Sequence, residues 1–157
     1  MRVAIAVFAF SMLAASTSAA LEPAPRFDRD FNRAAKAANI QHRASSAECN
    51  TATCEFELKP TGRMSVVFDG AQKMVDEVAF YFPPEARSGA DVIDVLGAVL
   101  DLLSRDQPKA LREGVRLRLV EQAAGKARDG EFKLGRWTYV LRPNDGRDVR
   151  LYVRSSN

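Results

Sequence analysis

Histidine and cysteine are scarce in this sequence, and their scarcity limits the chemistry that the chain can perform. The 157 residues include one histidine, His42, and two cysteines. A Ser-His-Asp triad or a Cys-His pair must use a histidine, so His42 is the only candidate base of that kind. It follows a predicted helix and precedes a serine-rich segment, a position typical of a solvent-exposed side chain. We therefore predict that His42 lies on the surface and is not catalytic.

Other motifs with a known chemistry are also missing. The sequence has no phosphate-binding glycine loop and no dinucleotide-binding glycine pattern, and a zinc site would need more histidine or cysteine ligands than it offers. Carboxylate pairs such as Glu55 and Glu57 are available for acid-base chemistry, but a pair on the outward face of a strand is usually solvated. We predict no catalytic residue, no metal site and no cofactor.

Long apolar stretches are absent after the N-terminus, and the one apolar run there resembles a signal peptide. Arg2 supplies a positive charge, residues 3–13 are apolar apart from Ser11, and residues 14–20 are small. That run is shorter than the roughly 20 residues that a membrane-spanning helix needs. We predict a signal peptide over residues 1–20 that is cleaved on export, and no membrane span.

The predicted export defines the domain boundaries and the compartment. Pro23 and Pro25 keep the chain extended, so we predict an extended segment over residues 21–26 and a single domain over residues 27–157. The sequence lacks the Asn-x-Ser/Thr acceptor for N-glycosylation and is richer in arginine than in lysine. We therefore expect the mature protein in the periplasm or secreted from the cell.

The two cysteines, Cys49 and Cys54, are separated by four residues. In an oxidising compartment a pair this close is normally bridged. A redox pair would usually have two intervening residues, and a metal site would need further ligands. We predict a structural disulfide between them.

The hydrophobic periodicity predicts an α+β fold. An amphipathic helix begins at Phe27, and three alternating segments between Cys54 and Phe82 predict a three-stranded meander. A very apolar helix over residues 90–103 must be covered by other elements or must offer a surface to a partner, and we favour the covered position. Residues 109–124 fit either a helix or a strand, and we favour a helix because Pro108 precedes them and Gly125 follows them.

Two further alternating segments, 132–141 and 149–153, predict a C-terminal hairpin. The predicted order of elements is therefore α-β-β-β-α-α-β-β. The three-stranded meander and the C-terminal hairpin form an antiparallel sheet, and two or three helices pack against it.

The charge distribution is uneven along the chain. Residues 21–104 contain nine Lys or Arg against 13 Asp or Glu, whereas residues 105–157 contain 13 against seven. Successive side chains of a strand point to opposite faces, so several arginines and one tyrosine of the C-terminal hairpin lie on the face opposite its buried residues. The candidate binding residues are Arg136, Arg142, Arg150, Tyr152 and Arg154.

Arginine and tyrosine are frequent in binding surfaces, although any sheet with one solvated face also needs polar residues there. We favour a non-enzymatic binding or accessory protein that contacts a macromolecular partner through this basic hairpin face. An acidic protein or an anionic envelope component fits such a face, and an exported protein seldom meets nucleic acid. The alternative is a small-ligand carrier or a carboxylate-dependent hydrolase of the cell envelope. The oligomeric state stays open.

Overall fold

A computed structural model describes residues 26–69, 74–83, 90–126, 130–143 and 149–156. The three helices are α1 (Phe27–Ala37), α2 (Ala90–Leu103) and α3 (Lys109–Ala123). The seven strands are β1 (Arg43–Cys49), β2 (Thr53–Lys59), β3 (Arg63–Phe68), β4 (Val75–Phe82), β5 (Glu131–Leu134), β6 (Trp137–Pro143) and β7 (Val149–Ser155). The predicted signal peptide and nearly all of the predicted extended segment lie outside the described residues and stay predictions.

All seven strands form one antiparallel sheet in the order β1-β2-β3-β4-β7-β6-β5. The C-terminal hairpin therefore joins the meander through β7, which lies directly beside β4 in the middle of the sheet. Apolar residues face the same side on both strands, because Val78 is opposite Val153 and Phe80 is opposite Leu151. All four of these side chains are fully buried. Both strands bury this apolar side in one hydrophobic core, which favours their position side by side.

The predicted α+β class and the antiparallel meander with its C-terminal hairpin are confirmed, and the structure adds two strands. β1 was not predicted, because its alanines, serines and glutamate do not alternate with large apolar residues. The predicted strand over residues 132–141 is divided into β5 and β6 by a two-residue turn at Gly135 and Arg136. Gly135 has φ +60°, and a Cβ there would lie 3.1 Å from Nε2 of Gln107. Glycine is favoured at this turn for both reasons.

The three helices pack on one face of the sheet and enclose a continuous hydrophobic core. The predicted covered position of α2 is confirmed, since eight of its 14 residues are buried. The segment that fitted either a helix or a strand forms α3. Within the described residues, no helix has both the length and the apolar character that crossing a membrane requires.

Helix α1 attaches to the sheet by apolar and polar contacts. Phe31 is fully buried, and its ring centroid lies 5.8 Å from that of Phe80 on β4. Asn32 accepts a hydrogen bond from the Ala44 amide at 2.8 Å and donates one to the Ala44 carbonyl at 2.9 Å. This side chain therefore satisfies backbone groups of β1, which is an edge strand of the sheet.

The predicted disulfide between Cys49 and Cys54 is present. The two residues are direct partners at the end of the β1–β2 hairpin, so the bond closes that hairpin. Disulfides of this kind are typical of proteins that fold in an oxidising environment.

The C-terminal end of α2 is attached to the sheet by a buried hydrogen bond. The hydroxyls of Ser104 and Tyr139 lie 2.7 Å apart, and both residues are 0% exposed. Burial raises the pKa of the Tyr139 phenol well above its usual value, although its hydrogen bond to Ser104 opposes that rise.

Candidate functional site: the outer face of the sheet

The outer face of the sheet is the side opposite the three helices. On β2 the apolar residues are buried against the core and the alternate residues are exposed, so the outward positions are polar. The same alternation places polar and aromatic side chains outward on the neighbouring strands. These side chains form a continuous surface across the sheet because the strands pair in register.

One row of outward residues crosses five adjacent strands. The row contains Glu57, Arg63, Tyr81, Arg150 and Arg142, in that order from β2 to β6. The guanidinium carbons of Arg63 and Arg150 lie 5.8 Å and 5.6 Å from the centroid of the Tyr81 ring. Two cations therefore flank one aromatic ring, an arrangement that holds both arginines in place.

The next row of outward residues has small side chains at its centre. Glu55, Ser65, Ala79, Tyr152 and Val140 are successive neighbours from β2 to β6. Ser65 donates a hydrogen bond of 2.6 Å to Glu55, which orients that carboxylate. Ser65 and Ala79 are only 7% and 3% exposed because larger neighbours surround them. The centre of the outer face is thus formed by two small side chains, Ser65 and Ala79.

A second tyrosine and an ion pair complete the surface. The rings of Tyr152 and Tyr81 meet edge to face at 6.5 Å. Arg154 donates a hydrogen bond of 2.6 Å to Glu77, and its guanidinium lies 5.6 Å from the Tyr152 ring centroid. Burial is the main cause that raises the pKa of the Tyr81 phenol above its usual value.

The structure brings four of the five predicted binding residues together. Arg150, Tyr152 and Arg154 lie on β7 near the middle of the sheet, and Arg142 is the direct neighbour of Arg150 on β6. Arg136 is separate from this group, because it occupies the turn between β5 and β6 and stacks 4.9 Å over the Trp137 ring.

The outer face is not uniformly basic. A depression of about 800 Å³ near β1, β2 and β3 is lined by Glu48, Glu55 and Glu57, with Arg63 and Tyr81 also lining it. Glu48 and Glu55 are direct cross-strand partners and are both exposed. The outward face of the C-terminal hairpin is therefore continuous with this acidic region, because β7 pairs with β4.

Arg63 and Tyr81 were missed as candidate residues. Their outward orientation could have been read from the alternation on β3 and β4. Their proximity to Arg150 could not, because it depends on the non-sequential pairing of β4 with β7.

The prediction that His42 lies on the surface is wrong. His42 is 1% exposed, and its Nε2 lies 3.7 Å from Oδ1 of Asp91 in the first turn of α2. The error arose because β1 was not predicted, and β1 begins at Arg43, directly after the histidine. Burial lowers the pKa of His42, although the negative charges of Asp91 and Asp94 oppose that effect.

Within the part of the chain that the structure describes, no group of three His, Cys, Asp or Glu side chains is arranged to hold a metal ion. No family model, curated protein or solved structure matches this chain.

Proposed function

We propose that the protein is an exported, non-enzymatic binding protein that contacts an acidic protein surface through the outer face of its sheet. The observation that carries this proposal is the row of arginines around Tyr81. Arg63 and Arg150 are already held on the tyrosine ring, so their side chains lose little conformational freedom when a partner binds. Arginine and tyrosine are also the residue types that most often dominate the binding energy of protein interfaces.

The position of these residues in the fold supports the same conclusion. β7 lies between β4 and β6. Arg150, Tyr152 and Arg154 therefore belong to an interior strand of the seven-stranded sheet and not to a loop. A rigid strand fixes the spacing of its side chains, and it holds Arg150 and Arg154, which are four residues apart, at about 13 Å. A partner with two carboxylates at a similar spacing would meet both arginines at once.

Export is supported by two features that do not depend on each other. The disulfide of the β1–β2 hairpin fits an oxidising compartment. The N-terminal sequence has the charge, the apolar run and the small residues of a signal peptide. We propose the periplasm or the extracellular space as the location.

The proposal is tested with a fluorescent polyglutamate peptide as an acidic probe and a sulfated polysaccharide as an anionic polymer. We expect Arg150→Glu combined with Arg154→Glu to weaken binding of the peptide by at least about tenfold. Lys109→Glu combined with Arg118→Glu on the exposed surface of α3 is the matched control, since it also reverses two charges but away from the outer face. Circular dichroism and thermal melting show whether each variant is folded.

Equal binding of the peptide by the wild type and the double variant would contradict the proposal. Binding of the polysaccharide alone would replace the acidic protein with an anionic polymer as the partner. Binding should also weaken as salt rises from about 50 mM to about 500 mM, because exposed charges are screened over shorter distances.

A small-ligand carrier is the second candidate function, and the depression beside Glu55 and Glu57 is the observation that favours it. Its volume is in the range of small-molecule sites, although it is broad and open to solvent. A thermal-shift screen with amines, sugars and peptides tests this alternative. A carrier should gain several degrees in Tm with its ligand, because binding to the folded state alone stabilises that state.

A further inference from the structure

We propose that His42 is an acid-sensitive switch: protonation of its imidazole releases the first turn of α2 from the segment that connects α1 to β1. The switch does not involve the outer face of the sheet, so it is tested independently of the proposed function. An exported protein would meet the pH of its surroundings, which is the signal that this switch detects.

The imidazole of His42 is enclosed and has no hydrogen-bond partner. The residue is 1% exposed, and among the described residues neither Nδ1 nor Nε2 makes a hydrogen bond. A neutral ring in such a place leaves one donor and one acceptor unsatisfied, whereas a charged ring would lose much more hydration. The burial of His42 therefore depends on a neutral imidazole.

Two carboxylates lie on the α2 side of the ring, but neither compensates for its burial. Nε2 lies 3.7 Å from Oδ1 of Asp91, which is longer than a hydrogen bond, and the Asp91 side chain is 38% exposed to water. Asp94 is exposed, and its charge also favours the protonated ring. Arg43 on β1 opposes protonation. Of the described charged groups that act on the ring, none belongs to α1.

Helix α2 itself opposes a cation at this position. Asp91 is the second residue of the helix, and helical side chains point back towards the N-terminus, so His42 lies near that end. The N-terminus of a helix carries a partial positive charge. Burial is the largest effect on the ring, and it holds the pKa of His42 below its usual 6.5.

The segment that carries His42 is attached to α1 by its backbone. The Ile40 amide donates a hydrogen bond of 2.8 Å to the Ala35 carbonyl, and both of these residues are buried. The Arg43 guanidinium donates to the carbonyls of Ile40 and His42. This side of the contact is therefore fixed.

The first turn of α2 is attached less firmly than the rest of that helix. Of residues 90–93, only Val92 is buried, whereas Val95 and Leu96 in the next turn are both fully buried. The first amides of a helix also have no partner within the helix, so this turn opens at a lower cost than the turns that follow. Protonation of His42 should therefore move the first turn of α2 and leave the sheet intact.

The direction of the switch follows from the difference in proton affinity between its two states. In the closed state the pKa of His42 is lowered, and in the released state the ring is in water and regains its usual 6.5. The contact is complete above pH 6.5 and is lost as the pH falls through the lowered pKa. Between these two values, the ratio of released to closed molecules rises by up to about tenfold per pH unit.

Amide hydrogen exchange read by NMR tests the switch in the mature protein without a tag. The amides of Asp94, Val95 and Leu96 donate to carbonyls of the first turn of α2, so they report its release. After correction for the intrinsic exchange rate, their protection should fall by up to about tenfold per pH unit below 6.5 in the wild type. It should stay constant in His42→Gln. The chain has one histidine, so a single imidazole signal gives its pKa in the same samples.

Asp91→Asn tests the part played by the carboxylate. Loss of its negative charge should lower the pKa of His42 further, so the loss of protection should extend to lower pH than in the wild type. Asp101→Asn is the matched control, because it removes the same charge from the same helix about 15 Å further along. It should leave the pH range of the release unchanged.

Three results would overturn the proposal. The first is an imidazole that titrates at pH 6.5 or above. The second is an equal loss of protection in the wild type and in His42→Gln. The third is a simultaneous loss of protection at Val78 and Phe80 on β4 in the wild type, because that would show acid unfolding of the whole domain and not release of one turn.

Discussion

Asn32 provides the sharpest test of how the edge of the sheet is held. Its side-chain amide makes two hydrogen bonds to the backbone of Ala44, at 2.8 Å and 2.9 Å, in a partly buried position. Each bond contributes about 1 kcal/mol to the free energy of unfolding. Replacing Asn32 with Ala removes both bonds, and the higher helix propensity of alanine returns about 0.5 kcal/mol. We therefore expect Asn32→Ala to lower the free energy of unfolding by about 1.5 kcal/mol.

Urea unfolding followed by circular dichroism measures this effect. With a typical m-value of about 1 to 3 kcal/mol/M, the unfolding midpoint should fall by about 0.5 to 1.5 M. Arg29→Ala is the matched control, because Arg29 is an exposed residue of the same helix. Asn32→Asp keeps the acceptor for the Ala44 amide but places an oxygen against the Ala44 carbonyl. This variant should lower the free energy of unfolding by at least about 1 kcal/mol, the contribution of one hydrogen bond.

A loss below about 0.5 kcal/mol in Asn32→Ala, relative to the control, would refute this reasoning. It would mean that water replaces the side chain at Ala44 without cost. We also expect Asn32→Ala to aggregate more readily at high protein concentration, because unpaired groups on an edge strand can pair with another chain.

Two further predictions concern buried polar groups. Tyr139→Phe and Ser104→Ala should each lower the free energy of unfolding by about 1 to 2 kcal/mol, because each leaves a buried hydroxyl without its partner. In a double-mutant cycle, the double variant should lose clearly less than the sum of the two single losses. Additive losses would contradict the hydrogen bond between Ser104 and Tyr139. Burial lowers the pKa of His42 in the folded protein below its usual 6.5, so the unfolded chain binds a proton at this residue more readily. The resulting stabilisation of the fold is complete above pH 6.5 and is lost as the pH falls through the lowered pKa. The free energy of unfolding should therefore decrease more steeply from about pH 7 to about pH 5 in the wild type than in His42→Gln, and equal slopes in urea titrations would show that His42 does not titrate differently in the two states.

Local patterns were sufficient to predict most elements of the fold. The alternation of Cys54, Phe56 and Leu58 with charged residues predicted β2, and the spacing of Phe27 and Phe31 predicted α1. Each of these elements buries one apolar face, and burial of that face is visible as a period of two or of three to four residues. β1 lacks such a pattern. Its pairing with β2, the disulfide and the contact of Asn32 with Ala44 hold it in the sheet.

The candidate site was predicted in part for the same reason. Period two is a local property, so it correctly turned Arg150, Tyr152 and Arg154 away from the core. An uninterrupted strand over residues 132–141 would place Arg136 with them. The turn at Gly135 divides that strand, so Arg136 lies in the turn and its guanidinium lies over the Trp137 ring.

The sequence by itself determined which residues of each strand face outward, the cysteine pairing and the helical character of α1 and α2. Only the tertiary structure decided that β7 lies beside β4, that Tyr81 lies between Arg63 and Arg150, and that Glu57 stands in the same row as these residues. Side-chain direction follows from the geometry of a single strand, whereas the order of strands depends on how distant segments share one hydrophobic core.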